Sequence, residues 1–190
     1  MAKQTNPAQP DKPIFLTGFM GTGKSRIGSL LARRLQREFI DTDRLIEKRA
    51  RKSIPLIFAE DGEEAFRQLE HQCVRTAASR PRSVTALGGG AIVAQRNLDL
   101  VRQSGILVCL EADVEVILDR VSRREDRPLL AGLNQQEKRA KINQLLDQRR
   151  PYYQRADVQF HTSDDETPES AADKLITLLE HWCADRQHSA

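Results

Sequence analysis

The sequence offers little sulfur chemistry. Its three cysteines, Cys73, Cys109 and Cys183, are odd in number, far apart and without a CxxC pair. This argues against a disulfide framework or a thiolate metal site and fits a reducing cytoplasm. The four histidines, His71, His161, His181 and His188, share no ligand spacing. Long apolar runs are also missing. Stretches such as Ile106–Leu110 fall far short of the roughly 20 residues that a membrane-spanning helix needs. The polar, proline-rich start MAKQTNPAQPDKP has no apolar core of the secretory type, and residues 1–12 are expected to form a disordered tail. Charge of one sign is scarce as well. Thirty Lys and Arg face 27 Asp and Glu, a net +3. Nucleic-acid binding is not demanded by so mild and dispersed an excess, and attraction for a small anion accounts for it equally well.

What is present suits one soluble domain. The 190 residues are 39% hydrophobic and 30% charged, enough for a substantial core. PIFLT (13–17) reads as a buried strand. It is followed by a glycine-rich turn, and then by Ile27, Leu30, Leu31 and Leu35 at helical spacing. A second strand ends at Phe39-Ile40. Helices are expected after Thr42 or Asp43, either of which is placed to cap, over 53–61 and over 63–79. SVTAL (83–87) is a third strand, stopped by Gly88-Gly89-Gly90. A helix over 94–103, a strand over 106–110 and a helix over 114–121 follow. Residues 122–134 read as a mobile loop. Residues 135–153 read as a helix broken near Pro151, 158–160 as a weak fifth strand, and Thr167-Pro168 as the start of a last helix. Strands alternating with helices at this spacing predict an α/β fold with a parallel sheet covered on both faces.

One motif carries specific chemistry. Gly18-Phe-Met-Gly-Thr-Gly-Lys24-Ser25 matches G-x-x-x-x-G-K-[ST] and lies between a predicted strand and a predicted helix. Its glycines let successive N–H groups turn toward phosphate oxygens. The lysine reaches the β- and γ-phosphates, and the serine hydroxyl helps hold Mg²⁺. The helix that begins there presents its positive end. A bound nucleoside triphosphate is therefore expected, but the loop does not separate a kinase from an ATPase, GTPase or helicase. In many ATPases the third strand ends in a magnesium-binding acid. Here it ends in glycines, which leaves Asp41 as the available metal carboxylate.

Ligands of an open parallel sheet gather beyond the carboxyl ends of its strands. Gly18–Ser25, Asp41–Asp43 and Gly88–Gly90 should therefore converge. In an extended stretch Asp41 and Asp43 would share a face, one addressing Mg²⁺ and the other an attacking hydroxyl; helix capping is the alternative. The glycine triplet permits close approach of a ligand, or is a plain tight turn. Arg67, three residues before Glu70, reads either as half of a solvated ion pair or as a ligand contact. Arg149-Arg150-Pro151 reads as a charged helix end or as an anion grip. Arg127 sits in the loop Arg-Pro-Leu-Leu (127–130), from which it could swing onto phosphate oxygens.

Taken in order, GFMGTGKS (18–25), DTD (41–43), FRQLE (66–70), GGG (88–90), RPLL (127–130) and RRPYY (149–153) resemble the shikimate kinase family. The resemblance implies a three-layer P-loop NTPase fold like that of nucleoside monophosphate kinases, with a five-stranded parallel sheet. It also implies a single kinase domain at 13–185, a substrate-binding helical segment near 41–80, a mobile lid near 122–134 and a C-terminal tail at 186–190. The implied activity is ATP-dependent phosphorylation of the 3-hydroxyl of shikimate, with Mg²⁺. Gly21, Thr22, Gly23, Lys24, Ser25, Arg26, Arg120 and Arg127 would bind ATP, with Arg120 near the adenine. Ser25 and Asp41 would hold the metal. Asp43, Arg67, Gly89, Gly90 and Arg149 would bind shikimate, the arginines gripping its carboxylate. Lys24, Asp43 and Arg127 would carry the catalysis. An aspartate of ordinary pKa, about 3.9, cannot deprotonate an alcohol outright, so Asp43 is expected to orient the hydroxyl and take its proton late. The acidic stretch His161–Glu166 departs from the family where adenine is contacted.

A cytoplasmic protein is expected, taken as a monomer, with a small-molecule substrate and neither nucleic acid nor membrane as partner. Two rivals remain. A gluconate or nucleoside monophosphate kinase shares the architecture, while the paired arginines Arg67 and Arg149 argue for a carboxylate acceptor. A P-loop switch or nucleic-acid-stimulated ATPase would use the arginines around 120–127 and 149–155. Against it stand the missing strand-end acid and the short chain.

Overall fold

The computed structural model describes residues 12–123, 130 and 132–187. Five strands, β1 (Ile14–Thr17), β2 (Glu38–Asp41), β3 (Ser83–Ala86), β4 (Ile106–Glu111) and β5 (Val158–His161), form one sheet in the order β2-β3-β1-β4-β5. Every pairing is parallel. Parallel neighbours need crossovers, and helices supply them: α1 (Lys24–Arg34), α2 (Thr42–Ala50), α3 (Ile54–Glu60), α4 (Gly62–Ala78), α5 (Gln95–Ser104), α6 (Val114–Ser122), α7 (Gln135–Tyr153) and α8 (Pro168–Gln187).

The alternation of side chains along β1 separates two cores. Ile14 and Leu16 pack with Ile27 and Leu31 of α1 and with Ala172, Leu175 and Leu179 of α8. Phe15 points to the opposite face, into a cluster with Val74 of α4, Leu98 of α5, Ile117 of α6 and Ile142 of α7. A third cluster, Ile46, Ile57, Phe66 and Cys73, joins α2, α3 and α4 beside the sheet. The expected sheet with helices on both faces is what the chain forms.

Several local expectations change. The N-cap of α2 is Asp41, not Thr42 or Asp43: its carboxylate accepts the backbone N–H groups of Asp43 and Arg44 at 3.1 and 3.3 Å. Asp41 ends a strand while Asp43 lies in the first helical turn, so the two do not share an extended face. α7 runs unbroken through Pro151. A proline deletes one backbone hydrogen bond, a local cost that this helix bears two residues before its end. A short 3₁₀ turn at Ala91–Val93 follows the glycine triplet. α8 continues to Gln187, so Arg186 and Gln187, assigned above to a tail, are helical. Cys73 and Cys109 are buried and all three thiols are free. Arg127, Pro128 and Leu129 lie outside the described residues. From the same stretch, Leu130 is buried in the cluster beneath β4.

Candidate active site

The sheet order determines where chemistry can collect. β1 lies between β3 and β4, so the loop after β1 opens at the point where successive connections diverge, and that is where such sheets bind ligands. Gly18, Gly21 and Gly23 have φ of 131°, 83° and 94°, the region that penalises any side chain. A Cβ on Gly18 would also collide with the Leu110 carbonyl. The buried Thr22 hydroxyl donates to Phe19 O at 2.8 Å. Lys24 Nζ folds back over the turn to within 2.8 Å of both Gly18 O and Phe19 O. A compact cradle of backbone amides with one ammonium across its mouth is an anion site.

Two further elements brace this loop. Thr162, just past β5, donates through its hydroxyl to Glu111 O at 3.0 Å and to Thr22 O at 3.4 Å. Arg120 of α6 spreads its guanidinium over three acceptors: Gly21 O at 3.1 Å, Ser163 O at 3.0 Å and Asp164 Oδ1 at 3.0 Å. Arg120, expected near the adenine, forms a bracket between the glycine loop and the acidic 161–166 segment. Arg26 lies exposed at the start of α1.

Asp41 divides its two oxygens. Oδ1 caps α2, while Oδ2 accepts the Ser25 hydroxyl at 2.6 Å. Capping and a metal-directed role are thus compatible in one carboxylate. A hydroxyl and a carboxylate are hard oxygen donors of the type Mg²⁺ prefers. No group of three or more His, Cys, Asp or Glu able to hold a metal occurs among the described residues. The pair therefore fits a cation that takes its other ligands from water and phosphate.

The second glycine cluster forms the facing wall. None of Gly88, Gly89 and Gly90 has positive φ, so backbone conformation does not require them. Space does. A Cβ on Gly88 would meet Asp43 Oδ1 at 2.7 Å and Glu70 Oε1 at 3.3 Å. On Gly89 it would lie 3.3 Å from Gly18 O and 3.4 Å from an Arg149 guanidinium nitrogen. On Gly90 it would lie 3.4 Å from an Arg67 nitrogen and 3.7 Å from one of Arg149. Asp43, Arg67 and Arg149, drawn from α2, α4 and α7, thus converge on one glycine strip next to the phosphate loop. Arg149 is also stacked against the Phe19 ring, 5.4 Å from its centroid, a favourable place for a guanidinium.

Residues with no separate signal in the sequence hold this cluster. Glu70 is 2% exposed and accepts from Arg67 at 3.0 Å. Glu63 takes the outer edge of the same guanidinium at 3.2 Å. Burial pushes the Glu70 carboxyl above its ordinary value. Arg67 opposes that rise, the Asp43 charge adds to it, and Arg149 opposes it. The Arg67–Glu70 pair, whose i,i+3 spacing suggested a solvated contact, is instead a buried anchor. Thr42 and Tyr153 bond the glycine strip at Gly88 and Gly89. The tyrosine hydroxyl is pushed up to about 12, mainly by burial.

Comparison with known proteins agrees with this geometry. A family model described as "Shikimate kinase" matches residues 20–180. A shikimate kinase of Chlorobium chlorochromatii is 45% identical over 174 residues, covering 89% of this chain and 91% of the relative. The solved structure of a shikimate kinase from Acinetobacter baumannii in complex with shikimate superposes with a TM-score of 0.83 at 37% identity, covering 88% of this chain and 92% of that one. A shikimate kinase structure from Bacteroides thetaiotaomicron gives 0.84 at 35% identity, with 89% and 98% covered.

Proposed function

The chain belongs to the shikimate kinase family, and from that membership we propose that it transfers the γ-phosphoryl group of ATP to the 3-hydroxyl of shikimate, giving shikimate 3-phosphate and ADP. The observation that carries this reading is the convergence of Asp43, Arg67 and Arg149 on the Gly88–Gly90 strip beside the phosphate loop. Two guanidinium groups flanking Gly90 suit a carboxylate, which they can meet with forked hydrogen bonds.

In this reading the amides of residues 21–25 and the Lys24 ammonium take the β- and γ-phosphates. Arg67 and Arg149 fix the shikimate carboxylate, and the backbone of Gly89 and Gly90 lies along its ring. Asp43, next to Gly88, orients the attacking hydroxyl and accepts its proton late. Ser25 and Asp41 would hold Mg²⁺, which would supply positive charge to the phosphates. Phosphoryl transfer passes through a loose, highly charged transition state, so positioning and cationic charge supply most of the acceleration. Arg127 adds charge from the 122–134 lid, and the 41–80 segment forms the acceptor wall. Arg120 and the 161–166 segment border the nucleotide side. The enzyme is assigned to the cytoplasm as a monomer without a nucleic-acid partner. Its free thiols suit that compartment, and a single peak at the monomer mass in sedimentation tests the stoichiometry.

The deciding experiment measures ADP release from ATP and Mg²⁺ with shikimate, with gluconate and with no acceptor. Shikimate-dependent release well above the other two is expected. Equal rates in all three would overturn the assignment.

A further inference from the structure

Tyr153 stands in contact with the acceptor wall but carries none of the roles above. Its ring is 5% exposed, and its hydroxyl donates to Gly89 O at 2.6 Å, a short bond across a sequence separation of 64. Tyr153 lies four residues after Arg149 on α7, so the two share one helix face. Burial raises the pKa of this hydroxyl and the Arg149 charge opposes that rise. The hydroxyl thus bonds a glycine-strip carbonyl one helical turn from an arginine of the proposed carboxylate grip.

The geometry of a peptide unit gives this contact a consequence. Gly89 C=O and Gly90 N–H belong to one planar trans unit and point in opposite directions. Fixing the carbonyl therefore fixes the amide. Glycine peptides lack the Cβ that would otherwise restrict their rotation. Neither Gly89 N–H nor Gly90 N–H donates to an acceptor among the described residues. In a strip of three glycines, the Tyr153 bond is a tether that prevents the central peptide from turning over.

We propose that Tyr153 is a positioning residue for the acceptor. Its hydroxyl holds the Gly89–Gly90 peptide so that the Gly90 amide faces the acceptor. The inference rests on the shikimate site proposed above. It assigns Tyr153 no contact with shikimate or ATP.

The test is Tyr153→Phe, which keeps the buried ring and removes the tether. The variant is compared with the parent in steady-state assays that vary shikimate and ATP separately. The KM for shikimate should rise about tenfold, as befits one lost buried hydrogen bond, with the KM for ATP within about twofold of the parent. The ¹⁵N–¹H signal of Gly90 should shift or broaden. Tyr152→Phe, the adjacent ring outside the site, should change neither. A shikimate KM within twofold of the parent in folded Tyr153→Phe would overturn the proposal. So would a loss of folding by circular dichroism, or an equal rise in both KM values, since either makes the hydroxyl a general structural bond. Parent enzyme that turns over ATP without responding to shikimate would instead defeat the functional assignment. In that case the Gly90 signal would still report whether the tether exists.

Discussion

The Thr42 hydroxyl accepts the Gly88 backbone N–H at 2.9 Å and donates to Ala86 O at 3.3 Å. The middle residue of Asp-Thr-Asp is thus a rivet between the end of β2 and the start of the glycine strip. The flanking aspartates take other tasks: Asp41 caps α2 and accepts the Ser25 hydroxyl, and Asp43 lies beside Gly88. Thr42 is fully buried, so neither bond can be replaced by water.

Thr42→Val keeps the shape and deletes both bonds, leaving a buried amide unpaired. Thermal or urea denaturation should show a loss of about 1–3 kcal/mol. The shikimate KM should rise in parallel, because the strip loses its upper anchor. Unchanged stability would show that Gly88 N–H finds another acceptor.

Glu70 gives a pH signature. Its raised pKa means that the folded protein holds this proton at pH values where the unfolded chain, with an ordinary value of 4.5, has released it. The fold therefore loses stability from this group as pH rises through that window, and regains it on acidification. Substrate binding runs the other way. Protonated Glu70 no longer anchors Arg67 as a carboxylate, so the shikimate KM should climb on the acid side, beginning above the ordinary carboxylate range. Glu70→Gln should remove this inflection and raise the KM at neutral pH roughly tenfold. Profiles of kcat/KM against pH for the two proteins decide it.

Asp41→Asn separates the two tasks of one side chain. Asparagine caps helices as well as aspartate does, so the melting temperature should hardly move. The Mg²⁺ concentration for half-maximal activity should rise at least ~10-fold, because a charged hard ligand has gone. A coincident collapse of stability would mean that the Ser25 contact is mainly structural.

Asp164→Asn loosens the bracket formed by Arg120. The prediction is a KM for ATP raised by about three- to tenfold, with the KM for shikimate unchanged, since only the Gly21 side of the site is disturbed. This exposed pair carries little stability, so melting should be insensitive. Equal effects on both substrates would place the acidic segment elsewhere in the catalytic cycle.

Most of the architecture was legible in the sequence because periodicity and glycine punctuation agree. β1, the phosphate loop and α1 follow from an apolar run, three glycines and a 3.6-residue repeat. The convergence of Asp43, Arg67 and Arg149 was legible only through their ordered motifs, since they come from three helices. The supports of the site were not legible. Glu70 has the i,i+3 spacing of any surface ion pair, and its burial depends on how α4 packs on the sheet. Thr42 looked like a cap because a threonine before a helix usually is one. Asp41 displaced it, since the strand ends one residue later than the apolar pattern suggested. Pro151 promised a helix break, but α7 continues two residues beyond it.

The phosphate loop and the glycine strip leave neighbouring strands, joined even at their exits by the Leu87 N–H to Leu16 O bond of 2.9 Å. The two strands that launch these loops are therefore one interstrand repeat apart, about 4.8 Å, a spacing fixed by main-chain pairing that side-chain replacement leaves intact. The stems of the phosphate loop and the glycine strip thus keep their relative placement through changes in the side chains around them.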